Sequence, residues 1–263
     1  MAVIGTSFGQ PHTSGWYYTC AAQGSSMGEY SCHARHFRPQ VTRVSFSRAE
    51  LRSFTGSTLP DLIDGGVRLL FVGINPGLRS VAVQGHFAPR GNRFYPALLR
   101  AGITDHLIDA SAGLAAADRA YLLDRGIGIT SLVARATASA DELPPAELAA
   151  GARALTERVR RFRPRVVAIL GVTAYRTAFG SPRATLGRQP EDLNGSQLWV
   201  VPNPSGRNAH ASLDVLAAAY REVAEAVGVP VRPVPRVTPA RRAARDATTD
   251  AARPGSASPP AIP

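Results

Sequence analysis

Residues 67–73, VRLLFVG, run directly into INPGL at 74–78, and this junction decides the fold class. A short, unbroken apolar run closed by glycine fits a strand covered on both faces. Three more such runs follow: GIGITSL at 126–132, VVAILG at 166–171 and LWVV at 198–201. Helical patterns lie between them. Residues 92–102 read as a helix, with Asn92 suited to its N-cap and Gly102 to its stop. Residues 144–162 place Leu148, Leu155, Val159 and Phe162 at helical spacing. A short helix covers 173–179, and an amphipathic one covers 212–227. Four buried strands separated by helices predict an α/β fold. The expectation is a single domain whose central, mostly parallel β-sheet has four or five strands flanked by helices. Such sheets bind ligands at the carboxyl ends of their strands. The chemistry is therefore expected just after Gly73, Leu132, Gly171 and Val201.

Outward from this core the composition changes. Residues 1–46 mix Gly, Ser, His, Tyr and Arg without a sustained period and read as a poorly ordered extension. Residues 47–230 form the domain. Residues 231–263 turn to Pro, Arg, Ala and Thr and end in GSASPPAIP, which cannot bury a core and reads as a disordered basic tail. No internal repeat is present. No run of about 18 apolar residues occurs, so no membrane span is expected. The N-terminus lacks the basic-then-apolar pattern of a signal peptide. These features predict a cytoplasmic protein, expected to be a monomer. Cys20 and Cys32 are too few for a four-cysteine iron–sulfur cluster, and neither CxxC nor HExxH occurs. No metal and no cofactor are expected.

The 30 basic residues, all Arg, exceed the 19 acidic ones, for a formal net charge of +11. The tails carry +2 (1–46) and +4 (231–263), so +5 remains on the domain. A balance this basic favours a polyanionic partner, nucleic acid first.

Two loops carry the candidate chemistry. Gly73-Ile74-Asn75-Pro76-Gly77-Leu78 leaves the first strand, with one Pro and two Gly forcing a tight turn that a ligand can approach. Its spacing is not GxGxxG, so a dinucleotide fingerprint fits poorly. Pro202-Asn203-Pro204-Ser205-Gly206-Arg207-Asn208 leaves the fourth strand at the same sheet edge. Each loop alone also reads as an ordinary turn, with Asn75 as a capping amide. Two of them at the ends of two strands say more than either one.

GINPG, then NRFY at 92–95, then NPSG at 203–206, in this order and at this separation, resembles the mismatch-specific uracil/thymine-DNA glycosylase family (Mug/TDG) of the uracil-DNA glycosylase superfamily. The resemblance spans roughly 47–229 and includes ITSLVARAT and AILG; neither tail is covered. It implies a parallel-sheet α/β domain that flips a base out of double-stranded DNA and hydrolyses its N-glycosidic bond. On this resemblance Asn75 is the catalytic residue whose amide holds the attacking water. Ile74, Gly77, Ser80, Phe87 and Asn203 belong to the base pocket, with Phe87 as the aromatic that stacks on the flipped base. Ser205, Gly206, Arg207 and Asn208 belong to the loop that enters the duplex. The uracil-specific branch carries Asp at the position of Asn75 and His at that of Asn203, so the resemblance points to the mismatch branch and to a slower enzyme. The bacterial type member has an aliphatic residue after NPSG. Here that residue is Arg207, in a loop one residue longer, and the thymine-active branch uses Arg near this point.

The implied chemistry is consistent with these residue types. Breaking the bond to uracil builds positive charge on the sugar and negative charge on the base. Fixed N–H donors in a dry pocket stabilise that leaving anion. An Asn carbonyl orients water but is a poor base, and flipping costs least at a mismatch. The expected function is therefore monofunctional, mismatch-specific excision of uracil, with thymine and other damaged bases as further candidates, leaving an abasic site for base excision repair. The chain contains no Lys, which excludes lyase chemistry through a lysine Schiff base. Among lesser candidates, His86 and His210 flank the motif loops, Arg93 can reach phosphate, and Ser131 and Arg135 can touch DNA backbone. Phe94, Tyr95, Tyr175 and Trp199 read as core, and Asp141-Glu142 as the solvated start of a helix. The rivals are a non-catalytic DNA-binding protein on the same fold and a phosphate-handling α/β enzyme. The second would need GxxxxGK[ST], which is absent, and the PCxxC of a zinc deaminase is absent too.

Overall fold

The computed structural model describes residues 16–22 and 30–36 as backbone, and 45–208 and 211–233 in full. Most of the C-terminal tail and His210 fall outside the described residues. The chain divides into two units, Met1–Ala49 and Glu50–Pro263. In the first, β1 (Trp16–Ala22) and β2 (Tyr30–His36) pair antiparallel as a two-stranded sheet. The sequence reading assigns no element there, because the stretch shows no sustained period. The unit boundary falls within a short helix, α1 (Arg48–Arg52).

The second unit alternates strand and helix: β3 (Leu69–Gly73), α2 (Leu78–Ala82), α3 (Phe94–Arg100), α4 (Ala116–Asp124), β4 (Ile127–Ser131), a 3₁₀ turn at Ala140–Glu142, α5 (Pro145–Phe162), β5 (Val166–Leu170), α6 (Val172–Phe179), β6 (Gly187–Arg188), β7 (Gln197–Val201) and α7 (Leu213–Ala226). The sheet order is β4-β3-β5-β7-β6. The first four strands are parallel, and β6 pairs antiparallel with β7. This is the α/β domain expected, with five strands.

The strands have apolar residues at nearly every position because both faces are covered. Leu69, Phe71, Val166, Ala168, Trp199 and Val201 pack against α3, α4 and α7 through Phe94, Leu98, Leu122, Leu216 and Tyr220. Their neighbours Leu70, Val72, Val167, Ile169, Leu198 and Val200 pack the other way, against Leu148, Leu155 and Val159 of α5 and Tyr175 of α6. Full burial of one such side chain contributes about 1.5–3 kcal/mol. Phe71 anchors the first face, with Phe94 edge-on at 5.2 Å and Tyr220 tilted at 5.3 Å.

Caps fix the helices that matter for the site. The N-cap of α3 is Arg93, one residue later than the Asn92 expected from sequence; Asn92 Oδ1 accepts from the Phe94 amide at 2.9 Å in the turn that leads into the helix. Ser212 Oγ accepts from the Val215 amide at 3.2 Å and opens α7. The sequence reading also passed over α1, α2, α4 and β6. α1 and α2 have five residues each and β6 two, too few for a pattern to repeat, and α4 buries only Leu122, so it shows no apolar stripe. The 140–142 turn is closed by a capping box between Ser139 and Glu142.

The strand order places the site. From β3 the chain moves outward to β4, then crosses back to β5 on the other side of β3. The ends of β3 and β5 thus form a topological switch point, where sheets of this kind place a ligand crevice at the strands' carboxyl ends.

Candidate active site

Asn75 stands two residues beyond β3, at the edge of that crevice. Its Nδ2 donates to the carbonyl of Arg135 at 3.1 Å and to Thr137 Oγ1 at 2.8 Å. Thr137 is 1 % exposed and donates its own hydroxyl proton to the Ser139 carbonyl at 2.7 Å. The Thr137 oxygen can therefore only accept from Asn75, and the Arg135 carbonyl can only accept. Both contacts require the amide NH2 on that side, which fixes the orientation of a group whose N and O are otherwise interchangeable. Oδ1 is turned the other way and accepts from nothing among the described residues.

Asn203 is locked in the opposite sense. Its Oδ1 accepts from the Ser205 amide at 2.9 Å, an Asx turn. Nδ2 is then the outward group, with no partner among the described residues. It lies beside Gly171, which opens α6 at φ +128; a Cβ built there would meet Asn203 Nδ2 at 3.5 Å and Ile74 Cδ1 at 3.8 Å. The ends of β3, β5 and β7 thus bring Ile74, Gly171 and Asn203 together. Two amides of one residue type present opposite chemistry, an acceptor at Asn75 and a donor at Asn203.

Phe87 closes the crevice over the end of β3. Its Cε1 and Cζ lie 3.6 Å from a Cβ built on Gly73, and one ring face stacks on Phe94 with centroids 4.0 Å apart. Its backbone holds φ +55, an uncommon conformation for an aromatic residue that costs on the order of 1–3 kcal/mol. Hydrogen bonds tie the turn down. His86 Nε2 donates to the Pro60 carbonyl at 2.9 Å, and Tyr95 OH donates to the His86 carbonyl at 3.1 Å.

The loop after β7 is held from below. Arg93 donates Nη2 to the carbonyls of Ser205 at 2.7 Å and Asn208 at 2.8 Å, and Nη1 to that of Ala211. Asn208 Nδ2 donates to the Asn203 carbonyl at 2.9 Å. Arg207 is exposed and reaches toward Ser139 Oγ at 3.4 Å. Contacts thus run from Asn75 through Thr137 and Ser139 to Arg207.

The family model for the uracil DNA glycosylase superfamily matches residues 60–225, more than half of the chain. The chain belongs to that superfamily. It is also similar to the solution NMR structure of a candidate uracil DNA glycosylase from Methanosarcina acetivorans, at 18 % identity, over 63 % of this chain and 96 % of that one, with a TM-score of 0.42. A likeness at that level carries no functional argument.

In this uracil DNA glycosylase superfamily member several candidate residues take other duties. Arg93 is part-buried, and its guanidinium binds loop carbonyls. Arg135 is engaged by Glu147 through two bonds of 2.6 Å, which raise the pKa of the guanidinium and lower that of the carboxyl. Ser131 is buried beside Gly73. Burial lowers the His86 pKa, so this imidazole is neutral and brings no charge to the site. Ser80 is buried in α2, and a Cβ built on Gly77 would meet nothing within 4 Å. A Cβ on Gly206 would lie 2.9 Å from the Gly91 carbonyl, so the contact that requires glycine there is within the protein. Phe94, Tyr95, Tyr175 and Trp199 are core. Thr137 had no sequence signal: a lone Thr in ARAT carries no pattern until the fold sets it against Asn75.

Proposed function

We propose that this chain is a monofunctional, mismatch-directed DNA glycosylase that flips uracil from double-stranded DNA and hydrolyses its glycosidic bond. The observation that carries the reading is the locked amide of Asn75. With Nδ2 held by Arg135 and Thr137, Oδ1 is a fixed acceptor at the switch point of the sheet, suited to orienting one water. The water oxygen bonds to the sugar C1′ as the C1′–N1 bond breaks. The electron pair leaves with the base as an anion, and the water gives its proton to solvent. Asn203 Nδ2, held outward by its Asx turn, is suited to donate to a carbonyl of that anion. The ring face of Phe87 not used by Phe94 stacks on the flipped base. Arg207 fills the space the base leaves; its planar guanidinium can stack between neighbours or donate to the orphaned guanine.

Mismatch preference follows from weak chemistry. An amide orients water without deprotonating it, so the cost of extrusion, lowest at a mispair, shapes selection. Single-turnover base release from oligonucleotides carrying uracil opposite guanine, opposite adenine and in single strands tests this. The expected order places the guanine mispair well ahead of the adenine pair. Equal release from both duplexes would remove the mismatch assignment, and no release from any substrate would favour a DNA-binding protein without catalysis.

A further inference from the structure

We propose that Arg93 is a positioning residue that preforms loop 202–208 and locks it to the loop carrying Phe87, so that wedge and base pocket engage DNA as one rigid body. This rests on the glycosylase reading. Arg93 caps α3 at φ −102 and ψ 9, and its part-buried side chain turns toward the loop. It binds the carbonyls of Ser205, Asn208 and Ala211, while its own amide donates to the Pro204 carbonyl at 3.0 Å. All four bonds go to main chain, and together they span residues 204–211. Its Nε is buried with no hydrogen-bond partner, so the guanidinium is committed to the loop and pays a desolvation cost there. The bonds leave from two nitrogens of a planar fork, Nη1 toward Ala211 and Nη2 toward Ser205 and Asn208; a lysine ammonium has three donors but on a single atom, so it matches this spread of carbonyls less well.

The second tie is steric. Gly206 and Gly91 sit so close that a Cβ on Gly206 would meet the Gly91 carbonyl at 2.9 Å. Gly91 and Arg93 lie on the segment that follows Phe87. The segment that would face the flipped base and the loop that would fill its place are therefore fastened at two points. Loop order is then supplied before DNA arrives, and insertion of Arg207 does not have to meet that entropic cost.

The test uses the full chain. Arg93→Met keeps an unbranched apolar stem and removes the fork; Arg93→Lys keeps charge. With folding checked by thermal melting, single-turnover uracil release is measured on a mismatched duplex and on single-stranded DNA, where no gap forms. The expected result is a loss of about tenfold or more on the duplex, a much smaller loss on single strands, and partial rescue by Lys. Adding Arg207→Ala to Arg93→Met is expected to cost little more, because both act through one loop. Equal losses on both substrates, or multiplicative losses in the double variant, overturn the proposal. Trypsin cleavage after Arg207 reads the clamp without any catalysis: Arg93→Met is cut faster than the parent, and equal cutting overturns the clamp. A parent that cuts normally at this loop but releases no base would count against the glycosylase reading alone. If Arg93→Met fails to fold, Gly206→Ala loosens the same contact from the other side and is held to the same substrate comparison.

Discussion

Replacing Thr137 by Val removes one oxygen from a buried side chain and keeps its shape. Two hydrogen bonds go with it: Asn75 Nδ2 to Thr137 Oγ1 at 2.8 Å, and Thr137 Oγ1 to the Ser139 carbonyl at 2.7 Å. The Arg135 carbonyl at 3.1 Å still holds the other amide proton, so Asn75 keeps its orientation but loses half of its restraint. One neutral hydrogen bond contributes about 0.5–1.5 kcal/mol net, and roughly 1.4 kcal/mol is a tenfold change in rate. Single-turnover uracil release is therefore expected to fall by about three- to tenfold, with duplex affinity unchanged because Thr137 is buried away from DNA. The Ser139 carbonyl keeps the Glu142 amide at 3.2 Å, so the stability cost is the net contribution of the lost bonds, about 0.5–1.5 kcal/mol each, which chemical denaturation reads. Thr137→Ser keeps the hydroxyl and is expected to keep most of the rate, which separates hydrogen bonding from packing. A Thr137→Val protein that releases uracil at the parent rate would refute the idea that a fixed amide sets catalysis.

Three further outcomes follow from other parts of the structure. Gly206→Ala is expected to shift the 203–208 loop and slow duplex excision, since its Cβ would sit 2.9 Å from a backbone oxygen; an unchanged duplex rate would show that the loop has slack. His106 is bridged by Asp118 and Asp105, both at 2.8 Å, and these bonds raise its pKa above the usual 6.5. A raised folded pKa means that its contribution is fully present below about pH 6.5 and is lost as pH rises through the folded value. Melting temperatures of the parent and His106→Ala should therefore differ at pH 5.5 and converge in alkali, and a gap independent of pH would sink the assignment. Deleting residues 234–263 removes five Arg and is expected to weaken DNA binding and flatten its salt dependence, by about 0.9 in log–log slope for each phosphate no longer neutralised, without changing which base is excised. An unchanged slope would mean that the tail does not touch DNA.

The fold was legible where burial wrote itself into composition. VRLLFVG, VVAILG and LWVV are apolar at nearly every position because helices cover both faces, and β3, β5 and β7 lie there. Helix α5 was equally plain, because Leu148, Leu155 and Val159 face one side. Elements that bury one side chain or none, such as α4, leave no period to read. Asn75 and Asn203 were marked by the turns around them, but their opposite amide orientations were not. Those depend on Thr137 and Arg135, about 60 residues beyond Asn75, and on one backbone N–H within the turn. The loop contacts of Arg93 were hidden for a related reason. A basic residue beside a DNA-facing motif suggests phosphate, and only the folded loop reveals the three carbonyls that hold it.

If Oδ1 of Asn75 holds the water that cleaves the bond, removing that oxygen must stop the chemistry while sparing DNA binding. The most direct test is single-turnover release of uracil from a guanine mispair by the parent and by Asn75→Ala, with duplex affinity measured in parallel. The predicted result is measurable release by the parent, none above background by the variant, and affinities within about tenfold, since removing one amide costs on the order of 1 kcal/mol of binding. Release by Asn75→Ala at the parent rate would contradict it.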